Sequence, residues 1–132
     1  MGYLLDTNTC IHAMRGTKSV IHAMANHAPG DISVSTITCY ELYTGVEKCA
    51  DPARERVKVD TFMRFVRPNA FDPSAARQAA AIRAALESRG EMIGPYDVLI
   101  AGHAKSLGLT LVTDNTKEFQ RVRALALENW YH

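Results

Sequence analysis

The sequence predicts an α/β fold: a mainly parallel sheet between two layers of helices. Three observations carry this reading. Short apolar strands alternate with longer helical segments along the whole chain, the order in which crossover helices build parallel sheets. Helical segments stop at Gly90, at Gly108 and at Pro29-Gly30, with strand-like runs following. Two strands, Tyr3-Leu4-Leu5 and Leu109 to Thr113, run directly into an aspartate. In open α/β sheets the C-terminal strand tips form the ligand edge.

The elements follow in order. After Tyr3-Leu4-Leu5 comes Asp6-Thr7-Asn8, and then Cys10, Ile11 and Met14 recur at helical spacing. Residues 18–28 form a second helix. Asp31 to Ser35 alternates polar with apolar and reads as a short strand. Thr36 is placed to cap a helix running to Lys48, in which Glu41 falls in the second turn. Asp51-Pro52 breaks that helix, and residues 53–66 form another. It carries Val57, Val59, Phe62, Met63, Phe65 and Val66, more apolar residues than one buried face needs, so part of it is expected to form a partner or dimer contact. Arg67 to Phe71 is a candidate strand. Asp72-Pro73-Ser74 opens an alanine-rich helix from Ala75 to Arg89. Pro95 stands at the first position of a helix to Leu107, with Asp97 in its first turn. Asp114 follows the last clear strand, Asn115 to Phe119 starts a short helix, and a final strand is expected near Leu125 to Leu127.

The chain has 132 residues, 47% hydrophobic and 22% charged, which fits one globular domain over residues 1–132. Its apolar runs are too short for a membrane span, and the N-terminus has no charged region followed by an apolar core, so a cytoplasmic protein is expected. Three cysteines without zinc-type spacing read as reduced core or near-core thiols. A net charge of +1 leaves nucleic-acid binding to local basic patches.

Asp6 and Asp114 both follow parallel strands and so belong to one sheet edge. The helices carrying Glu41 and Asp97 begin at that same edge. Each acid has a plainer role: Asp6 as a helix cap, Asp97 as a favourable charge at a helix start, Asp114 in a turn, Glu41 in solvent. Four acids from separate segments meeting at one edge need a further reason, because like charges repel. A divalent cation supplies it. Oxygen-only ligands suit Mg²⁺ or Mn²⁺, and such a pocket acts on phosphate esters by polarising the phosphoryl group.

With these acids placed, the segments LLDTN, ITCYELYTG, IGPYDVLIAGHA and TDNTKEF, in this order, resemble the PIN-domain ribonucleases. More closely the chain is similar to the VapC toxins of VapBC toxin–antitoxin pairs. The resemblance spans essentially the whole chain, from Met1 to Glu128-Asn129-Trp130. It implies a PIN-like α/β/α sandwich and a Mg²⁺- or Mn²⁺-dependent endoribonuclease. Asp6, Glu41 and Asp97 match the family's first three metal-site acids. Asp114 matches the fourth position, while relatives with Asn there use the acid four residues on, here Glu118. Asn8 and Thr113 match polar positions that orient the acids. The resemblance also implies a tRNA substrate, with the anticodon loop of initiator tRNA by analogy, a VapB antitoxin partner and a homodimer. DNA would be contacted only through the antitoxin.

Lys117 and Arg121 follow Asp114 and are the basic residues expected nearest the site. Tyr96, beside Asp97, could stack on a base or pack in the fold. The five histidines suggest metal-free acid–base catalysis, but nothing in the sequence pairs them; His103, six positions beyond Asp97, faces elsewhere on its helix. Three other functions compete. An aspartyl phosphotransferase would carry a second acid two residues after the first, where this chain has Asn8. A receiver-like binding module would cluster its acids after the first strand. A PIN-type nuclease of RNA processing would use the same acids without an antitoxin.

Overall fold

The computed structural model describes residues 2–132, so the domain boundary expected at Met1 lies outside the described residues. Strand β1 is Tyr3–Leu5, β2 Ile32–Ser35, β3 Arg67–Asn69, β4 Thr110–Val112 and β5 Leu127–Glu128. The helices are α1 (Thr7–Met14), α2 (Lys18–Ala25), α3 (Thr36–Lys48), α4 (Pro52–Met63), α5 (Pro73–Arg89), α6 (Pro95–Leu107) and the short α7 (Thr116–Phe119). The strands form one sheet in the order β3-β2-β1-β4-β5, with every pairing parallel. This is the three-layer α/β/α sandwich that alternation implies.

Successive strand residues face opposite layers. Leu5 and Val112 point into a core with Cys10, Ala13, Val20, Leu42, Val46, Val59 and Phe62, from α1 to α4. Leu4 and Leu111 point the other way, into Ile82, Leu86, Ile100, Ala101 and Phe119 from α5, α6 and α7. Strands buried on both faces explain why β1 and β4 read as apolar runs. β2 is also buried throughout despite its serines. Ser33 Oγ donates to the Tyr3 carbonyl at 2.9 Å, and Ser35 Oγ lies 2.8 Å from His103 Nδ1. Its polar residues face a layer, not solvent, because each hydroxyl finds a partner there.

Several boundaries differ from expectation. Ser35, not Thr36, caps α3: its Oγ accepts from the Ile37 N–H at 3.0 Å, while the Thr36 hydroxyl accepts from the Phe71 N–H. The second helix ends at Ala25, and Pro29–Asp31 forms a 3₁₀ turn before β2. The fourth starts at Pro52, capped by Asp51, and stops at Met63. β3 ends at Asn69; Pro68 is tolerated because this is an edge strand. The last strand lies at Leu127–Glu128, where it pairs with Leu111 and Val112. Among the described residues no helix is long and apolar enough to cross a membrane.

α5 and α6 approach each other most closely at Gly102. A methyl group there would sit 2.5–2.7 Å from the backbone N and Cα and the Cβ of Ala79. Gly45, mid-way along α3, has open space around it. Alanine favours a helix interior over glycine by about 1 kcal/mol. Overpacking costs about 1–3 kcal/mol and outweighs that gain at Gly102. Thermal melts should show Gly45→Ala raising Tm by about 3 °C and Gly102→Ala lowering it by about 5 °C; a Gly102→Ala protein as stable as Gly45→Ala would refute the close-approach account.

Candidate active site

The strand order places a topological switch at the β1–β4 seam. From β1 the chain winds outward through β2 and β3 with α1 to α4 on one face, then returns to β4 on the other side of β1 with α5 and α6 on the opposite face. Crossovers diverging from one seam leave a crevice at its C-terminal end, where ligands of open α/β sheets bind. Leu5 and Val112 are register partners, so Asp6 and the Thr113-Asp114 pair emerge side by side at that crevice.

Asp6 is 3% exposed. Its backbone N–H donates to the Val112 carbonyl at 3.0 Å, and its Oδ1 accepts from the Thr9 N–H at 2.8 Å. The cap reading holds: Oδ1 of Asp6 caps α1 at the head of the crevice. Burial raises the Asp6 pKa, the Thr113 hydroxyl and the Thr9 N–H oppose the rise, and the charge of Asp114 adds to it.

Glu41 reaches the crevice from α3. Its Oε1 accepts from the Thr7 hydroxyl at 2.6 Å, and that hydroxyl lies 3.2 Å from Thr38 Oγ1. Asp97 stands in the first turn of α6, after Gly94 and Pro95. Its pKa is pushed up to about 6, first by burial and then by the charges of Asp6, Glu41 and Glu118. So Asp6 at the end of β1, Glu41 of α3 and Glu118 of α7 all lie close enough to act on Asp97 of α6.

At the fourth corner the two candidates have different partners. Asp114 Oδ2 lies 2.9 Å from His12 Nε2, and the His12 ring stacks on Tyr131 with centroids 4.2 Å apart. Glu118 Oε2 accepts from Asn115 Nδ2 at 2.6 Å and acts on Asp97. His12 therefore lies beside one of the acids, although the sequence paired no histidine with a catalytic partner. Its position six residues after Asp6 gave no sign of it; the contact is made across the seam, through a turn whose shape the sequence does not display. Thr7, Thr38 and Asn115 were likewise missed.

Thr113 is buried against Asp6, and its Oγ1 accepts from the Asn115 N–H at 2.9 Å. Asn8 is exposed and hydrogen-bonds to none of the acids; Thr7 and Thr9 on either side do that work. Lys117 is exposed on α7. Arg121 is drawn away from the acids, with Nη1 donating to the Met92 carbonyl at 3.0 Å, and it lines a small basic groove with Arg89, Lys105 and Arg123. The chain turns after α7, so sequence proximity to Asp114 does not carry Arg121 to the crevice. Tyr96 is exposed, with its hydroxyl 3.3 Å from that of Tyr40. His103 is buried on Ser35, away from the acids. Cys10 is fully buried; burial and the charge of Asp6 hold its thiol protonated.

The donor set fits a hard cation in its chemistry. Among the described residues no three His, Cys, Asp or Glu side chains are already drawn together as a ligand cage. Mg²⁺ does not require one: it keeps several waters and takes one or two carboxylates directly. Asp6, Glu41, Asp97 and Glu118 supply oxygens alone.

A raised carboxyl pKa has a defined effect on stability. Asp97 holds its proton up to about 6 in the fold against 3.8 for the ordinary carboxyl. The fold keeps this contribution below the unfolded value and loses it as pH rises through the folded one. Without divalent cation, Asp97→Asn should raise Tm by about 3–6 °C near pH 7.5 and change it little near pH 4. Added Mg²⁺ should stabilise the wild-type chain more than the variant. An Asp97→Asn melt unchanged at both pH values would contradict the mutual repulsion.

Comparison with known proteins bears on this arrangement. The PIN-domain family pattern matches residues 3–125. The chain is 38% identical over 128 residues to the tRNA(fMet)-specific endonuclease VapC of Shigella flexneri, covering 97% of each. The structure of DNA-bound VapBC from Salmonella typhimurium contains a chain with a TM-score of 0.93 and 36% identity, over 98% of both. That of VapBC2 from Rickettsia felis, bound to a promoter DNA fragment, gives a TM-score of 0.90 and 35% identity over 98% of this chain and 99% of that one. The acids at the seam thus sit in a PIN fold, and the chain belongs to the PIN-domain family, among the VapC toxins of VapBC toxin–antitoxin systems.

Proposed function

We propose that this chain is the toxin of a toxin–antitoxin pair, a Mg²⁺- or Mn²⁺-dependent endoribonuclease that hydrolyses RNA in the cytoplasm. The carrying observation is the surroundings of Asp97: three other carboxylates from separate elements act on it at the switch-point crevice. Asp6, Glu41 and Asp97 would hold the ion, with Glu118 completing the set. When bound, the ion polarises the phosphoryl group and makes a water nucleophilic at neutral pH.

The chain's own residues do the rest. The Thr9 N–H and the Val112 carbonyl fix Asp6 at the end of a rigid strand. Thr7 fixes the rotamer of Glu41, and Asn115 that of Glu118. Asp114, tied to His12, supports the site from the side by placing its charge beside Asp6. Thr113 donates to Asp6 and opposes the rise that burial imposes on its pKa, while Asn8 lies at the rim. Lys117 is placed to meet a phosphate beyond the scissile one, and Tyr96 to meet a base. Arg121, held at Met92, contributes only to backbone attraction at longer range.

The substrate is structured RNA. The anticodon loop of initiator tRNA is the proposed target, supported by relatives named as tRNA(fMet)-specific endonucleases. An antitoxin partner is supported by the VapBC and FitAB assemblies among similar structures. The surface it would occupy is an apolar groove of about 880 Å³ between α1, α2 and α4, lined by Met14, Ile21, Met24, Val57, Phe62 and Phe65. Val57 of α4 and Phe65, just beyond the helix end, are among the surplus apolar residues of this stretch. DNA contact through the antitoxin and a toxin homodimer complete the assembly.

Incubation with total tRNA and Mg²⁺ tests the reading. Water as nucleophile predicts 5′-phosphate products, and EDTA should abolish cleavage. Asp6→Ala and Asp97→Ala should each lose at least about 100-fold in rate. Glu118→Gln should fall nearly as far, and Asp114→Asn by about 10-fold. Phe65→Asp should cleave like wild type while no longer being inhibited by added antitoxin. Products ending in a 2′,3′-cyclic phosphate, or undiminished cleavage by Asp6→Ala, would overturn the mechanism.

A further inference from the structure

Two of the crevice acids are each preceded by an exposed tyrosine: Tyr40 stands before Glu41 and Tyr96 before Asp97. The two tyrosines come from different helices, α3 and α6, yet they meet. Their ring centroids are 5.7 Å apart at 55°, and their hydroxyls are 3.3 Å apart. Tyr40 is 56% exposed and Tyr96 41%. A tyrosine joins a broad apolar face to a polar tip, and such residues are enriched where a protein meets a partner. The helix start at Gly94-Pro95 sets the direction of Tyr96, and the shared hydroxyl contact sets that of Tyr40.

We propose that the Tyr40–Tyr96 pair is a stacking platform that seats an unpaired nucleobase beside the acid crevice. This inference rests on the reading of the crevice as a ribonuclease site. The separation is that of two rings in contact, so no base enters between them; a base stacks on an outward face. Neither ring carries a cation or reads a base edge, so the platform selects unstacked nucleotides over paired ones without selecting sequence. It thereby favours loops over duplex at the step where the backbone passes Glu41 and Asp97. Tyrosine suits this role because it offers a broad face with few rotatable bonds. The hydroxyl contact orients the pair, and the ring faces bind.

The test uses the intact chain and a fluorescein-labelled mixed-sequence RNA 12-mer, with an all-abasic 12-mer of the same backbone as control. Tyr40→Ala and Tyr96→Ala should each weaken binding of the base-containing RNA by about 10-fold or more. Neither should alter binding of the abasic chain. Tyr40→Phe and Tyr96→Phe should bind within about two-fold of wild type, because the face survives. Equal binding of base-containing RNA by wild type and both alanine variants overturns the platform, as does equal loss on both RNAs. An alanine variant that changes oligomeric state on gel filtration also overturns it, and assigns the pair to a subunit contact. Cleavage of total tRNA by the wild-type chain is measured in parallel. If the wild type cleaves and the alanine variants bind normally, the platform falls while the ribonuclease reading stands. If the wild type neither cleaves nor binds RNA, both fall.

Discussion

The N–H of Asp6 meets the carbonyl of Val112 at 3.0 Å, closing the ladder between β1 and β4 at the point where the chain's winding reverses. The site depends on this rung. It aligns two strands far apart in sequence, so that Asp6 and Asp114 leave the sheet together. It also fixes the start of α1, since the Asp6 carboxylate caps that helix through Thr9. Thr7, one residue on, then stands where it can hold Glu41. A slip of one residue at this seam would turn Leu4 and Leu5 to the wrong layers and remove both acids from the crevice.

The layers divide the remaining work. α5 and α6 pack tightly at Gly102 and present Asp97 from the same rigid face. α1, α2 and α4 form the other face and leave an apolar groove between them. The crevice lies between the two layers at the strand tips. A partner seated in the groove would lie against α1, the helix that Asp6 caps, so the groove and the crevice share one element. Asp6, Glu41, Asp114 and Glu118 each have a hydrogen-bond partner, while Asp97 meets the charges of Asp6, Glu41 and Glu118.

Much of this was legible in the sequence, for identifiable reasons. β1 and β4 are apolar on both faces and end in acids, so both the parallel sheet and the edge at which those acids emerge could be read. Asp97 was legible because Gly94-Pro95 marks a helix start. The polar partners were not: His12, Thr7, Thr38 and Asn115 act across tertiary contacts that leave no periodic trace. Asn8 was expected to orient an acid, but the residues on either side of it do so, because α1 turns Asn8 outward. Arg121 was expected at the crevice by proximity alone, and the turn after α7 carries it to Met92. The alternation of β2 gave no sign that its serines are buried, each with a partner supplied by another element.

The central claim is that the carboxylates around Asp97 form one cation site. Calorimetric titration with Mg²⁺, in buffers of differing ionisation enthalpy, counts the protons released on binding. Asp97 carries about half a proton near pH 6, so Mg²⁺ binding there should release about half a proton, and almost none near pH 8. Binding with no proton release at either pH, or no binding at all, would contradict the claim.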